Sequence, residues 1–293
     1  MTAIKEKAYA KVNLYLDVLG IREDGFHDIK TVMHSVSLAD DIVVSVAPRR
    51  ELSIDLTIEG NRYLPTDSKN LVYRAAEMFC QKLGVNADVR IKLVKRIPVA
   101  GGLAGGSSDA AATLRALNKL YKRPFTLKAL LAMGAELGSD VPYCIVGRTA
   151  LCEGRGEKMI RLESNLEMNF VIASAGDHVS TPEAYKVLDV KYSSFDGSVE
   201  RNGESHYESL IAMLSEGSFD KSGLYNIFEE PVLAKCSRSQ ELKRELASRC
   251  NGAALMSGSG PSVFAVFDSE ESARVAAEEI KALGFFAEYA TSV

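Results

Sequence analysis

The chain has 293 residues, 46% of them apolar and 25% charged, which is the make-up of a soluble globular protein long enough for two separate cores. A net charge of −4 gives no electrostatic reason to expect nucleic acid or an anionic membrane as a partner. Five scattered cysteines with no C-x-x-C and four histidines with no H-E-x-x-H exclude a disulfide scaffold and structural zinc, and with no apolar leader or membrane-length run the chain reads as cytoplasmic, with no metal-ligating set.

Residues 8–18 alternate, putting Val12, Leu14, Leu16 and Val18 on one face of a strand and Lys11, Asn13, Tyr15 and Asp17 on the other. By composition alone Lys11 belongs to a solvated face. Arg22-Glu-Asp-Gly-Phe-His27 is turn chemistry hinged at Asp24-Gly25. Phe26 and His27, taken alone, read as a loop aromatic tucked inward beside a surface imidazole. Strands follow at 29–38, 41–47 and 51–58. Asp67 or Ser68 then caps a helix to Leu83, with Leu71, Val72, Ala75 and Phe79 on its apolar face.

Val89–Val94 alternates as a half-buried strand and runs into Pro98-Val99-Ala100-Gly101-Gly102-Leu103-Ala104-Gly105-Gly106-Ser107-Ser108. Ala110, Leu114, Leu117 and Leu120 then recur at helical spacing, and Ser107, Ser108 or Asp109 can cap the first turn. The glycines remove the Cβ atoms where a ligand would touch backbone. The helix directs its unpaired N–H groups into the loop, an arrangement that binds phosphate without a charged side chain. No Gly-Lys-Ser or Gly-Lys-Thr follows, so this is not a P-loop. A dinucleotide fold needs an acidic residue about 20 positions on, where Asn118-Lys-Leu-Tyr-Lys-Arg123 stands instead.

Thr126 caps a helix from 127 to 137, Gly138 stops it, and Ser139-Asp140-Val141-Pro142 turns the next corner. Asp140 by itself reads as a turn aspartate bonding nearby N–H groups. Strands at 143–153 and 168–174 lead to Ser180-Thr181-Pro182-Glu183-Ala184-Tyr185, with Thr181 as N-cap and Pro182 in the first helical position. The stretch 190–206 is polar and breaker-rich and reads as a surface excursion, and helical patterns fill 206–250. A strand at 253–257, the turn Gly258-Ser-Gly-Pro261, a strand at 262–267, a helix at 270–283 and a strand at 285–290 complete an α/β layer. The Gly258–Pro261 turn reads equally as a tight hairpin or as backbone brought near a ligand on the first loop.

Three segments occur in order: Ala10-Lys-Val-Asn-Leu14, Pro98-x3-Gly-Leu-x-Gly-Gly-Ser-Ser-Asp109 and Ser257-Gly-Ser-Gly-Pro261. Together they resemble the signature motifs of the GHMP kinases, which phosphorylate galactose, homoserine, mevalonate and phosphomevalonate. Arg22-x-Asp-Gly-Phe-His27, Lys69-Asn-Leu71, Gly138-Ser-Asp-Val-Pro142 and Gly147-x-x-Ala-x-x-Glu-Gly-x-Gly-Glu157 narrow the resemblance to that superfamily's 4-diphosphocytidyl-2-C-methyl-D-erythritol kinases. The resemblance spans essentially the whole chain. It implies an α+β fold: a ribosomal-S5-like ATP-binding domain over 1–160 and a ferredoxin-like substrate domain over 161–293. It implies ATP and Mg²⁺, and a small cytidyl-diphosphate substrate of the non-mevalonate isoprenoid route. No nucleic-acid or membrane partner follows from it, and no oligomeric state is specified.

Residue by residue, the resemblance makes Lys11 and Asp140 catalytic and gives the ATP phosphates to Pro98–Ser108, with Asn70 near the adenosine. It makes Asn13 a substrate contact and has Phe26 and His27 stack on and hydrogen-bond the cytosine. Tyr185 covers the other face of the base, and Thr181 and Pro182 belong to the same site. The family's more usual residue at position 26 is tyrosine; phenylalanine keeps the stacking face and loses a hydroxyl. Two other readings are another alcohol kinase of the superfamily, against which Phe26, His27 and Tyr185 argue, and a non-catalytic nucleotide-binding regulator, against which Lys11 and Asp140 argue.

Overall fold

The computed structural model describes residues 2–164, 166–192 and 203–293. The alternation of residues 8–18 extends both ways into β1 (Ala3–Ile21). The Asp24-Gly25 hinge closes with the Arg22 N–H on the Phe26 carbonyl (2.7 Å) and leads into β2 (His27–Pro48). The strands expected at 29–38 and 41–47 are thus one strand. Asp40 and Asp41 lie mid-strand without turning it, because cations take up both carboxylates: Lys95 on Asp40, Lys7 and Arg96 on Asp41. β3 (Ser53–Glu59) precedes α1 (Leu71–Leu83). The cap of α1 is Asn70, not Asp67 or Ser68: its Oδ1 accepts the Val72 N–H (2.9 Å) while its Nδ2 donates to the Pro65 carbonyl (2.8 Å). Asp67 shapes the turn before it, accepting the Lys69 N–H.

β4 (Ala87–Val94), α2 (Gly105–Leu120) and α3 (Leu127–Leu137) follow, the last capped by Thr126 as expected. The strand expected from 143 begins instead as α4 (Val141–Val146), since Pro142 suits a helix's first turn; the strand itself is β5 (Thr149–Gly154). β6 (Lys158–Arg161) is too short for periodicity to reveal. After β7 (Asn169–Ser174) comes α5 (Thr181–Tyr192), capped by Ser180 rather than Thr181. Ser180 Oγ accepts the Glu183 N–H (3.4 Å) and Glu183 Oε2 accepts the Ser180 N–H (2.9 Å), a reciprocal capping box.

The ends of the polar 190–206 stretch are helical, in α5 and in α6 (Gly203–Glu216), and residues 193–202 lie outside the described residues. The helical region after 206 is interrupted by β8 (Tyr225–Asn226) before α7 (Glu229–Leu233) and α8 (Ser237–Ala247). β9 (Ala254–Met256), β10 (Val263–Phe267), α9 (Glu270–Ala282) and β11 (Phe286–Thr291) close the chain close to where its pattern put them. No helix among the described residues is long and apolar enough to cross a membrane.

This α+β chain divides into two compact units, each built from non-consecutive stretches. The first takes the chain up to Ala10, Ala39–Val99 and Ala104–Gly147. In it Asp41–Pro48 of β2 pairs antiparallel with β4, and β4 pairs parallel with β3. Val89, Ile91 and Leu93 of β4 bury one face against Phe79 of α1 and Leu114 and Leu117 of α2. The second takes Lys11–Leu38, Ala100–Leu103 and Arg148–Val293. Here β2 pairs with β5 and β1 with β8, while β11-β7-β10-β9 form an antiparallel sheet whose core meets Leu242 and Leu246 of α8 and Ile280 of α9.

Gly134, buried in α3, sets how closely α4 approaches and so where Asp140 stands. A Cβ there would lie 3.2 Å from the Pro142 nitrogen and 3.0 Å from Ile145 Cδ1. Alanine gains roughly 1 kcal/mol of helix propensity. Overpacking against backbone costs roughly 1–3 kcal/mol and wins. Gly134→Ala is expected to lower the urea midpoint with an unchanged slope; a raised midpoint would show that α4 can yield.

Candidate active site

Within the second unit, the centre of the loop and Lys11 are locked together. Lys11 is 4% exposed, not on a solvated face. Its Nζ donates to Asn13 Oδ1 (2.6 Å) and to the Gly102 carbonyl (2.8 Å), and its own N–H donates to the Leu103 carbonyl (3.2 Å). Asn13 Nδ2 donates in turn to Thr31 Oγ1 (2.8 Å). Gly102 has φ +77°, and a Cβ on it would stand 2.1 Å from the Ser257 carbonyl oxygen, so no other residue fits. Ser257 Oγ donates to the Gly102 carbonyl and the Ser262 N–H to the Gly101 carbonyl.

The hairpin reading of Gly258–Pro261 holds, and the turn lies against the first loop. The segment is the hairpin between β9 and β10, and it also carries backbone against Gly101, Gly102 and Lys11. Asn226, which no sequence pattern singled out, holds it there by donating to the Met256 and Gly258 carbonyls (2.7 and 2.8 Å).

In the first unit, α2 starts at Gly105 behind Ala104, which no side chain caps. Ser107, Ser108 and Asp109 lie inside the helix, correcting their expected capping role. Ser108 Oγ donates instead to the Tyr9 carbonyl (2.7 Å). An uncapped start leaves the first-turn N–H groups and the positive end of the helix dipole facing out, as an anion site requires. Gly106 is exposed, and a Cβ there would meet only Leu71 Cδ1 at 3.8 Å. Ala100 and Ala104 both hold φ 55°, a left-handed conformation costing roughly 1–2 kcal/mol each for a residue with a Cβ. Val99 is exposed beside them. Strain of this kind gathers where a loop must hold a particular shape.

Also in the first unit, Asp140 stands in the turn at the start of α4, and its side chain makes no cap bond to that helix. A charged cluster the sequence did not announce lies beneath α2. Lys95 Nζ, on a side chain 5% exposed, reaches Asp40 (2.5 Å) and Asp109 (2.8 Å), both buried. Burial pushes the Asp109 carboxyl up to about 7, with Lys95 opposing and the Asp40 charge adding. The one available signal was an aspartate heading an otherwise apolar helix face, and it was read as a cap.

The residues expected at the nucleobase all lie in the second unit. His27 and Tyr185 are together, ring centroids 4.4 Å apart, with His27 Nε2 2.7 Å from Asp189 Oδ1. Phe228 packs edge-on against Tyr185 at 4.9 Å and fixes it from behind. Phe26, 50% exposed, is covered by the Arg155 guanidinium 3.6 Å above its ring. Thr181 Oγ1 is 3.1 Å from Ser259 Oγ, tying the start of α5, where Pro182 also lies, to the Gly258–Pro261 turn. Asp189 and Arg155 were not foreseen.

Asp109's raised pKa has a consequence for stability. Between about pH 4, where an unfolded aspartate ionises, and the raised folded value, the folded chain holds a proton the unfolded chain has released. Stability from this group is present below that window and is lost as pH rises through it. Asp109→Asn should remove that slope. Urea midpoints of the two proteins across this range are the measurement, and parallel curves would contradict it.

Two family models match the chain, the GHMP kinases N terminal domain over residues 70–148 and the GHMP kinases C terminal over 204–284. The chain is 39% identical over 280 residues to a 4-diphosphocytidyl-2-C-methyl-D-erythritol kinase of Caldicellulosiruptor bescii, covering 95% of this chain and 94% of that one. It is 39% identical over 278 residues to the enzyme of the same name from Clostridium kluyveri, covering 94% and 95%. A crystal structure of 4-(cytidine 5'-diphospho)-2C-methyl-D-erythritol kinase superposes with a TM-score of 0.80 at 32% identity, over 99% of both chains. With whole-length identity well above what fold alone explains, the chain belongs to the GHMP kinases and, among them, to the 4-diphosphocytidyl-2-C-methyl-D-erythritol kinases.

Proposed function

We propose that the chain transfers the terminal phosphoryl of ATP to the 2-hydroxyl of 4-diphosphocytidyl-2-C-methyl-D-erythritol, giving the 2-phosphate and ADP in non-mevalonate isoprenoid precursor synthesis. The observation that carries this reading is the buried Lys11 ammonium, held by Asn13 and by the carbonyl of Gly102 in the glycine loop. Phosphoryl transfer asks the protein for positioning and charge neutralisation more than for covalent chemistry. The amides of Gly105, Gly106 and Ser107 at the uncapped start of α2 receive the phosphate oxygens, and Asn70 serves the adenosine end. Lys11 counters charge on the transferring group, and Asp140 takes the proton of the attacking hydroxyl. That hydroxyl is tertiary and hindered, so alignment counts for more than base strength. Among the described residues no three His, Cys, Asp or Glu side chains gather as a metal cage. A magnesium ion would travel with the nucleotide phosphates and offset their charge.

On this reading Phe26 and Tyr185 supply faces for the cytosine, and His27, oriented by Asp189, reads its polar edge. Asn13, Thr181 and Pro182 line the remainder of the substrate. The turn at 258–261 serves the ligand as well as the fold.

Asp140→Asn and Lys11→Met should each remain folded and bind nucleotide while turnover falls, the lost base alone accounting for about 10²–10⁴-fold. Lys11→Met strands the Asn13 oxygen at a cost of about 1–3 kcal/mol, while the Gly102 carbonyl keeps the Ser257 hydroxyl, so rates are to be compared per folded molecule. Near-full turnover in Asp140→Asn would remove it as the base.

Base reading is tested by kcat/KM on the cytidyl substrate, its uridyl analogue and the free methylerythritol phosphate. Phe26→Ala and Tyr185→Ala should each weaken the cytidyl substrate by about 1–3 kcal/mol and leave ATP alone. His27→Ala should chiefly erode the preference for cytidyl over uridyl, whose N3–H and O4 reverse the pattern cytosine presents. Equal efficiency on all three would leave only an alcohol kinase of GHMP type.

A further inference from the structure

The glycine loop leaves the first unit after Val99 and rejoins it at Ala104. Both of its ends come back to one buried ammonium. Before the loop, Asp40 Oδ1 accepts the N–H groups of Arg96 (2.5 Å) and Ile97 (2.9 Å), while its other oxygen takes Lys95 Nζ. After the loop, the same Nζ reaches Asp109 Oδ2 in the second turn of α2 (2.8 Å). The first residue of that helix is seated there too. A Cβ on Gly105 would come 3.3 Å from Lys95 Nζ and 3.1 Å from Ile97 Cγ2. Asp109 Oδ1 is buried with no hydrogen-bond partner, so this carboxylate is kept in place by the lysine at the expense of its own solvation.

Such an arrangement is costly as a pure stabilising device. Buried ion pairs gain little over apolar packing of the same volume, and a triad of two carboxylates and one ammonium gains less still. What it supplies is geometry. Ala100 and Ala104 adopt left-handed conformations that a loop keeps only when its surroundings over-determine it. Clamping residues 96–97 and 105–109 to a common point supplies that constraint. We infer that Asp40, Lys95 and Asp109 are positioning residues that pre-set the loop for the ATP phosphates, fixing the start of α2 relative to the strand that feeds it. This rests on the loop being the ATP site.

Asp109→Ala cuts the tie to α2 and leaves the Lys95–Asp40 pair intact and neutral. A loop that must be ordered at each binding event binds more weakly. The KM and the directly titrated dissociation constant for ATP should therefore rise about tenfold, while the KM for the cytidyl substrate stays within about twofold. Asp109→Asn keeps an acceptor of the same size for Lys95 and should recover most of the loss. An ATP affinity in Asp109→Ala within about twofold of the natural protein, or an equal rise in both KM values, overturns the inference. If the alanine variant does not fold, Asp109→Asn carries the test alone: it should weaken ATP by a few-fold, and no change overturns. Gly106→Val separates this from the reading beneath it. If that variant binds ATP normally, the loop is not the phosphate site; if it loses ATP while Asp109→Ala does not, the loop stands and the positioning role falls.

Discussion

There is no room for an atom on the Cα of Gly102, and much of the second unit follows from that. The missing Cβ lets the Ser257 carbonyl come into contact with the loop, so two segments far apart in sequence meet backbone to backbone. It turns the Gly102 carbonyl toward Lys11 and Ser257 together. From there a line of hydrogen bonds runs across two strands, from Lys11 to Asn13, to Thr31, to the carbonyl of Tyr15. Each group in that line is buried, so the ammonium is held at one place in a medium where its charge is poorly screened. Preorganised charge of this kind is what phosphoryl transfer draws on, since nothing has to reorganise as the reaction proceeds.

The group around His27 is prepared in another way. Its imidazole is flanked by Asp189 and by the ring of Tyr185, which Phe228 braces, whereas Phe26 sits half-exposed under a guanidinium. A ring already covered by Arg155 offers a different surface from a bare one, because cation and base compete for the same π-face.

The fold was legible to different depths in different places. β4, α3 and the run from β9 to β11 follow directly from period and caps, because in each a single face is buried and turn residues mark the ends. β2 was read as two strands, since Asp40 and Asp41 look like a break until Lys7, Lys95 and Arg96 are seen to neutralise them. Asn70 and Ser180 displaced the neighbouring residues chosen as caps, a shift of one to three positions that depends on which side chain reaches the N–H groups. The chemistry of the glycine loop was visible as composition, and the roles drawn for Lys11 and Asp140 came from resemblance, because periodicity alone put one on a solvated face and the other in a turn. The Lys95 cluster, Asn226 and Arg155 were invisible for a common reason. Each acts across a long sequence separation, and no local pattern records the partner.

The two units share strands rather than abut end to end in the sequence, and this bears on how such a chain can be made and altered. Tyr15 and Leu16 wait for Tyr225 and Asn226, about two hundred residues later. A nascent chain must therefore carry that edge of β1 open through most of its synthesis, and closing so long a loop precedes any reward from the contact. A fragment cut near its midpoint would own strands whose neighbours it lacks. Recombination that swapped one half for a relative's would have to bring a matching strand from the far end of the gene.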